Sequence, residues 1–221
     1  MLSRPEKMNA ITTAMNTEAI FLFEQVDRDP SVSAVIYTAD PASKVFCAGA
    51  DLDGGWATSG AGNKPSASVQ AVKSAVAAHR DGGGVLSVAI SRCRKPVIAA
   101  INGTAVGGGV TPTLACDMRV VSADAKIGFV FARRGIVPEG CSSYYLTRLV
   151  GIGQANEWVM TGRLFKATEA AGTGLFNYIL PRSEVVGKAH ALAREIVDNC
   201  SPSSVTLSKF MLAKQLDVSS P

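Results

Sequence analysis

The sequence predicts an α/β protein whose strands and helices alternate early and whose late section is dominated by helices. Three observations support this. Short β-branched or wholly apolar runs alternate with stretches whose apolar residues recur every three or four positions. Glycine makes up 21 of 221 residues, about 9.5% against an average near 7%, and two of its clusters directly follow strand-like runs. The chain is 47% hydrophobic and 18% charged, a balance that favours a folded core over disorder, and at this length about 70% of the unfolded surface is removed from water.

Residues 9–27 form an expected amphipathic helix, with Ile11, Met15, Ala19, Leu22 and Val26 on one face. Asp29-Pro30 stops it, because proline pushes its predecessor out of the α region. Residues 32–38 and 44–48 read as strands, the second running into a glycine-rich stretch. A loop over 60–65, an alanine-rich helix over 66–80, a break at Gly82 to Gly84 and a helix over 85–93 follow. Residues 96–101 are continuously apolar, as a strand buried on both faces requires. A glycine-rich turn over 102–109 leads into an expected helix through about Cys116, with Pro112 tolerated in its first turn. Residues 118–122 and 126–131 read as strands, and helices are expected over 141–150, 154–161, 167–171, 184–199 and 203–216.

The net charge of +4 is thinly spread, which argues against a nucleic-acid partner, since phosphate contacts need a clustered basic face. Five cysteines without a CxxC pair signal neither a zinc ribbon nor a disulfide framework, so no metal is expected. No apolar run approaches 18 residues, so no membrane span is expected. An intracellular protein is expected, peroxisomal or cytoplasmic; no targeting signal is visible, and Ser219-Ser220-Pro221 is not an SKL-type ending. The chain has no P-loop, GxSxG elbow or HExxH helix. His79 and His190 lie in helical stretches without the partners a catalytic base needs.

Two junctions remain, Cys47-Ala48-Gly49-Ala50-Asp51-Leu52 and Asn102-Gly103-Thr104-Ala105-Val106-Gly107-Gly108-Gly109. Each passes from a strand into a small-residue turn where backbone N–H groups can approach a ligand oxygen. Two such donors converging would form an oxyanion hole worth about 3 kcal/mol per donor. Taken alone, each also reads as an ordinary tight turn.

Together, in this order, they resemble the crotonase (enoyl-CoA hydratase/isomerase) superfamily. Phe46 to Leu52 is similar to its first oxyanion motif and Ala99 to Gly109 to its second. Arg4-Pro5-Glu6-Lys7-Met8-Asn9-Ala10, Cys116-Asp117-Met118-Arg119 and Gly135-Ile136-Val137-Pro138 fit as well. The resemblance runs from Arg4 to about Ser204. It implies a crotonase-like ββα spiral core over residues 1–150, with an N-terminal strand missing before Met1. Residues 151–221 would be a helical section for trimerisation and for covering the active site. A homotrimer or hexamer and an acyl-CoA substrate are implied, with coenzyme A part of the substrate and no separate cofactor.

Carried over by position, the N–H groups of Ala50 and Gly108 would hold the thioester oxygen. Ala48, Gly49, Ala50, Asp51 and Leu52 would line the acyl and pantetheine path, and Lys7 and Met8 would lie towards the CoA nucleotide. Asp51 also reads as a turn cap, Lys7 as a surface lysine, and Cys47 as a small packing residue. Asp117 and Glu157 read as salt-bridge or capping groups, and Arg92, Arg94 and Lys95 as a solvated cluster. The two glutamates of the family's hydratases fall at Thr111 and Phe131, neither of which transfers the proton. Instead, Pro138-Glu139-Gly140-Cys141-Ser142-Ser143 resembles a motif of peroxisomal-type Δ3,Δ2-enoyl-CoA isomerases, in which the glutamate is the single base. Burial against Phe129, Phe131 and Tyr144 would raise the pKa of Glu139. The resemblance thus implies an isomerase with Glu139 as base. A hydratase using Glu139 with another partner, and a non-catalytic crotonase-fold scaffold, are the alternatives.

Overall fold

A computed structural model describes residues 1–51 and 81–215. The expected loop over 60–65, the helix over 66–80, His79, Leu52 and the last residue of the expected 203–216 helix lie outside the described residues.

Among the described residues, eight strands build two four-stranded sheets. The first contains β1 (Val35–Thr38), β3 (Val97–Ile101), β5 (Met118–Ser122) and β8 (Tyr178–Leu180), paired in that order and all parallel. The second contains β2 (Val45–Cys47), β4 (Thr104–Val106), β6 (Lys126–Gly128) and β7 (Leu164–Lys166), with only β7 antiparallel to its neighbour. From β1 to β6 the chain gives strands alternately to the two sheets, which winds the backbone into a spiral. This is the α/β architecture the sequence predicts, with helices following in the C-terminal part.

β3 is buried at every position, as its unbroken apolar run requires. Side chains alternate across a strand, so Val97, Ala99 and Ile101 enter the main core while Ile98 and Ala100 face a second cluster with Val185 and Ala189. Those two residues belong to α4 (Arg182–Asn199), which covers the outer face of the first sheet. The main core holds Phe129 and Phe165, both stacked on Trp158 of α3 (Ser142–Thr161), a helix interrupted at Gly151.

α1 (Thr13–Arg28) starts later than expected, capped by the Thr12 hydroxyl, which accepts the Met15 N–H at 3.1 Å. The residues just before it serve another purpose. Met8 and Asn9 are left-handed, and the buried Asn9 amide bonds Arg4 N, Val45 O and Ser43 Oγ. α2 (Gly82–Arg92) is capped by Asp81, whose Oδ1 accepts the Gly84 N–H at 2.7 Å. α5 (Pro202–Gln215) is tied down by Lys209, which bonds Asp117 Oδ2 and Lys95 O, while Leu207, Met211 and Leu212 stay exposed.

Several expectations are corrected. The glycine-rich turn over 102–109 contains β4, and no α-helix follows it. Residues 107–109 and 111–115 are 3-10 turns. Pro112 has no N–H to give the Gly108 carbonyl, Val110, Thr111 and Thr113 are β-branched, and Thr113 N bonds Val110 O, three residues back, at 3.0 Å. The strand expected over 126–131 ends at Gly128, and the helix over 167–171 is a 3-10 turn over Ala167–Ala170. The helices over 141–150 and 154–161 join across Gly151. β7 and β8, three residues each, were not predicted, because runs this short carry no periodicity.

Candidate active site

β2 and β4 are parallel neighbours, so the two glycine junctions leave the same end of the second sheet side by side. After β2, Gly49 turns the chain at φ +105°, and a Cβ there would press on Val106 O at 2.9 Å. Ile11 then bridges this segment: its N–H bonds Gly49 O at 2.8 Å and its carbonyl accepts Asp51 N–H at 2.9 Å. Backbone groups alternate in direction along a bridged strand, so the Ala50 N–H points away from Ile11. The Ala50 nitrogen borders the second junction, where a Cβ on Gly108 would lie 3.7 Å from it.

Glu139 comes to the same place from the far side. The same hypothetical Cβ on Gly108 would be 3.9 Å from Glu139 Oε1. The residue precedes α3, and its carbonyl is held by Ser142, through the N–H at 3.0 Å and the hydroxyl at 2.6 Å. Gly140 and Cys141 follow in left-handed conformations, which turn the chain sharply into the helix. The Thr111 hydroxyl donates to Oε1 at 2.6 Å. Oε2 takes the space beside Gly83, where a Cβ would overlap it.

Asp81 is the second carboxyl of the site. Its Oδ1 accepts the N–H of Gly84 at 2.7 Å and of Gly140 at 3.1 Å, and its side chain is hydrogen-bonded to that of Glu139. The Glu139 pKa is pushed up to about 7. Burial is the main cause; the Thr111 hydrogen bond opposes it, and the charge and hydrogen bond of Asp81 add to it. A carboxyl so placed can exchange a proton near neutral pH, and it does so beside Gly108, whose other neighbour is the Ala50 nitrogen.

The other expected site residues are placed as follows. Ala48 N–H bonds Met8 O at 3.1 Å, which joins the N-terminal segment to the first junction. Lys7 and Met8 are exposed, and Leu52 lies outside the described residues. The Asp51 carboxylate forms an ion pair with Arg4, and the residues that an Asp51 turn cap would serve lie outside the described residues. Cys47 is fully buried, its thiol donates to Asn9 O at 3.0 Å, and burial pushes its pKa up to about 11, so it packs as expected. Asp117 and Glu157 make the expected capping and salt-bridge contacts, with Val97 N and Lys209 and with Arg163. His190 is exposed on α4.

Thr111 and Phe131 are buried. Phe129 stacks on Trp158 and lies tilted against Phe165, so its ring is committed to the core, and Glu139 is bordered by Thr111, Gly83, Gly108 and Asp81. Asp81 was not anticipated. Its one sequence signal was an aspartate directly before three glycines and an apolar-periodic run, the pattern of an N-cap.

A cleft of about 640 Å³ lined by Asp27, Arg94, Ile196 and Leu207, among others, includes none of these site residues. Among the described residues no three of His, Cys, Asp and Glu lie together as metal ligands, and no helix is long and apolar enough to cross a membrane.

A family model described as enoyl-CoA hydratase/isomerase matches residues 1–219. The chain is similar to enoyl-CoA hydratase ACTT3 of Alternaria alternata, 39% identical over 217 residues, covering 98% of this chain and 68% of the relative. Against two further hydratases of that fungus, AFT3-1 and AKT3-2, it spans 66% and 63% of their length. Among solved structures, a probable enoyl-CoA hydratase/isomerase from Mycobacterium abscessus superposes with a TM-score of 0.82 at 29% identity, covering 100% of this chain and 77% of that one. A monofunctional enoyl-CoA isomerase from M. smegmatis superposes at 0.77 with 28% identity, covering 98% and 87%.

Proposed function

The chain belongs to the enoyl-CoA hydratase/isomerase family, and from that premise we propose that it is an isomerase that moves the double bond of a 3-enoyl-CoA to the 2-position. One observation carries this reading. Oε1 of Glu139 and the Ala50 nitrogen both border Gly108, while Thr111 and Phe131 stand where the resemblance locates the two hydratase glutamates.

The C2 protons of a 3-enoyl thioester are acidified by both the carbonyl and the neighbouring double bond. Oε1 takes one of them as the C2–H bond breaks, and the electron pair spreads through the dienolate to the thioester oxygen. The N–H groups of Ala50 and Gly108 hold that oxygen, and they gain strength as its charge grows. The same carboxyl returns the proton to C4, a C4–H bond forms, and the double bond rests between C2 and C3. Atoms and electrons balance within the substrate, so neither water nor a redox partner is consumed.

A second reading, hydration of a 2-enoyl-CoA, is supported by Asp81. Adding water requires one group to activate it and another to deliver a proton, and Asp81 gives the site a second carboxyl. The hydratase names of the Alternaria alternata relatives support it equally.

Separate incubations with 3-enoyl-CoA and 2-enoyl-CoA, followed by chromatography, distinguish the two. Conversion of the 3-enoyl substrate without hydration is the expected result. Formation of 3-hydroxyacyl-CoA would favour the second reading, and no turnover of either substrate would remove both. Glu139→Gln is expected to lose the isomerase rate by roughly 10²- to 10⁴-fold; full activity in that variant would overturn the role of Glu139.

A further inference from the structure

The start of α2 has no part in the mechanism above, yet it borders the base. Asp81 caps the helix through Gly84 N–H and reaches across to Gly140 N–H, the residue next to Glu139. The open side of Gly83 is bordered by Glu139 Oε2 and by Asp81 Oδ1, the latter 3.2 Å from where a Cβ would stand. A hydrogen bond between two carboxyl groups requires a proton on one of them, and like charges at this range resist ionising together.

We propose that Asp81 is a positioning residue acting through Glu139, as the fixed partner of a carboxyl–carboxylate pair that holds one proton between its members. The inference rests on the reading of Glu139 as the base. Two backbone N–H bonds immobilise the Asp81 oxygen, which fixes Oε2 and leaves Oε1 toward Gly108. The groups facing Glu139 are Asp81 from the cap of α2 and the Thr111 hydroxyl from the 3-10 turn, while the Cys141 thiol on its own turn is directed to Gly84 O at 3.8 Å. Among the described residues Asp81 is the only charged one acting on Glu139. It therefore makes Glu139 a stronger base once the shared proton is released.

The test uses Asp81→Asn, which keeps the cap because asparagine caps helices as well as aspartate does, and Asp81→Ser as a second neutral cap. Titration of the Glu139 carboxyl, followed by infrared difference absorption and assigned with Glu139→Gln, reads the pair without any substrate. The midpoint is expected to fall by about one pH unit in both variants. The acid limb of kcat/KM for 3-enoyl-CoA should move down with it, and the high-pH plateau should fall as the base weakens. An infrared midpoint unchanged in both folded variants would overturn the proposal. A fall in that midpoint without any isomerisation by the wild-type protein would support the pair and remove the isomerase reading.

Discussion

Oε2 of Glu139 occupies the space that a side chain on Gly83 would fill, so the absence of a Cβ at one residue makes room for the carboxyl of the other. This gives the glycine run Gly82 to Gly84 a structural reason.

Gly83→Ala is accordingly expected to separate stability from activity. Alanine favours a helix over glycine by up to about 1 kcal/mol, and the atom it meets is the end of a flexible side chain. The melting temperature should hold or rise. Turnover should fall roughly 10²-fold, because displacing a reacting group by about 1 Å costs that much. Unimpaired kcat in a folded Gly83→Ala protein would show that the carboxyl position is unimportant.

The elevated Glu139 pKa, about 7 against an ordinary value of 4.5, carries a stability signature. A carboxyl raised in the folded state stabilises the fold while protonated, and that contribution is lost as pH rises from about 4.5 through 7. Glu139→Gln removes the titration. Relative to wild type, this variant should become progressively more stable between pH 5 and 8, as measured by urea midpoints. A constant difference across that range would contradict the raised pKa.

Thr111→Val removes the hydroxyl that donates to Oε1 and keeps the shape of the side chain. That bond favours the ionised carboxylate, so its loss should move the acid limb of the activity profile to higher pH. Movement to lower pH would mean that the hydroxyl does not stabilise the charge.

Arg119, nearly fully buried, bonds the carbonyls of Leu175 at 2.8 Å and Cys116 at 2.6 Å, with longer contacts to Thr113 and Leu114. It therefore braces the 3-10 turn that presents Thr111. Arg119→Met should strand several buried acceptors, each costing about 1–3 kcal/mol, and lower the urea midpoint. A midpoint within experimental error of wild type would mean that water or neighbouring groups replace the guanidinium.

Most of the first sheet was legible because β1, β3 and β5 carry apolar or β-branched runs, whereas β4 of the second lies inside the glycine-rich turn. The glycine junctions were legible for the same reason, since each follows a strand. The 3-10 turns after Gly109 were not, because glycines followed by Pro112 in a first-turn position look like the start of an α-helix. Pairing with β6 and β5, and not local periodicity, accounts for β7 and β8.

The sequence by itself determined the fold class, the two junctions that present Ala50 and Gly108, and the glutamate after Pro138. Local order suffices for these, because strand runs, small-residue turns and a helix start are each coded within a few residues. Only the tertiary structure decided that Asp81 lies against Glu139, that Gly83 leaves room for Oε2 and that Asp51 turns to Arg4. These relations join segments far apart in the chain. Burial and a neighbouring charge, which move the Glu139 proton toward neutral pH, exist only when those segments pack.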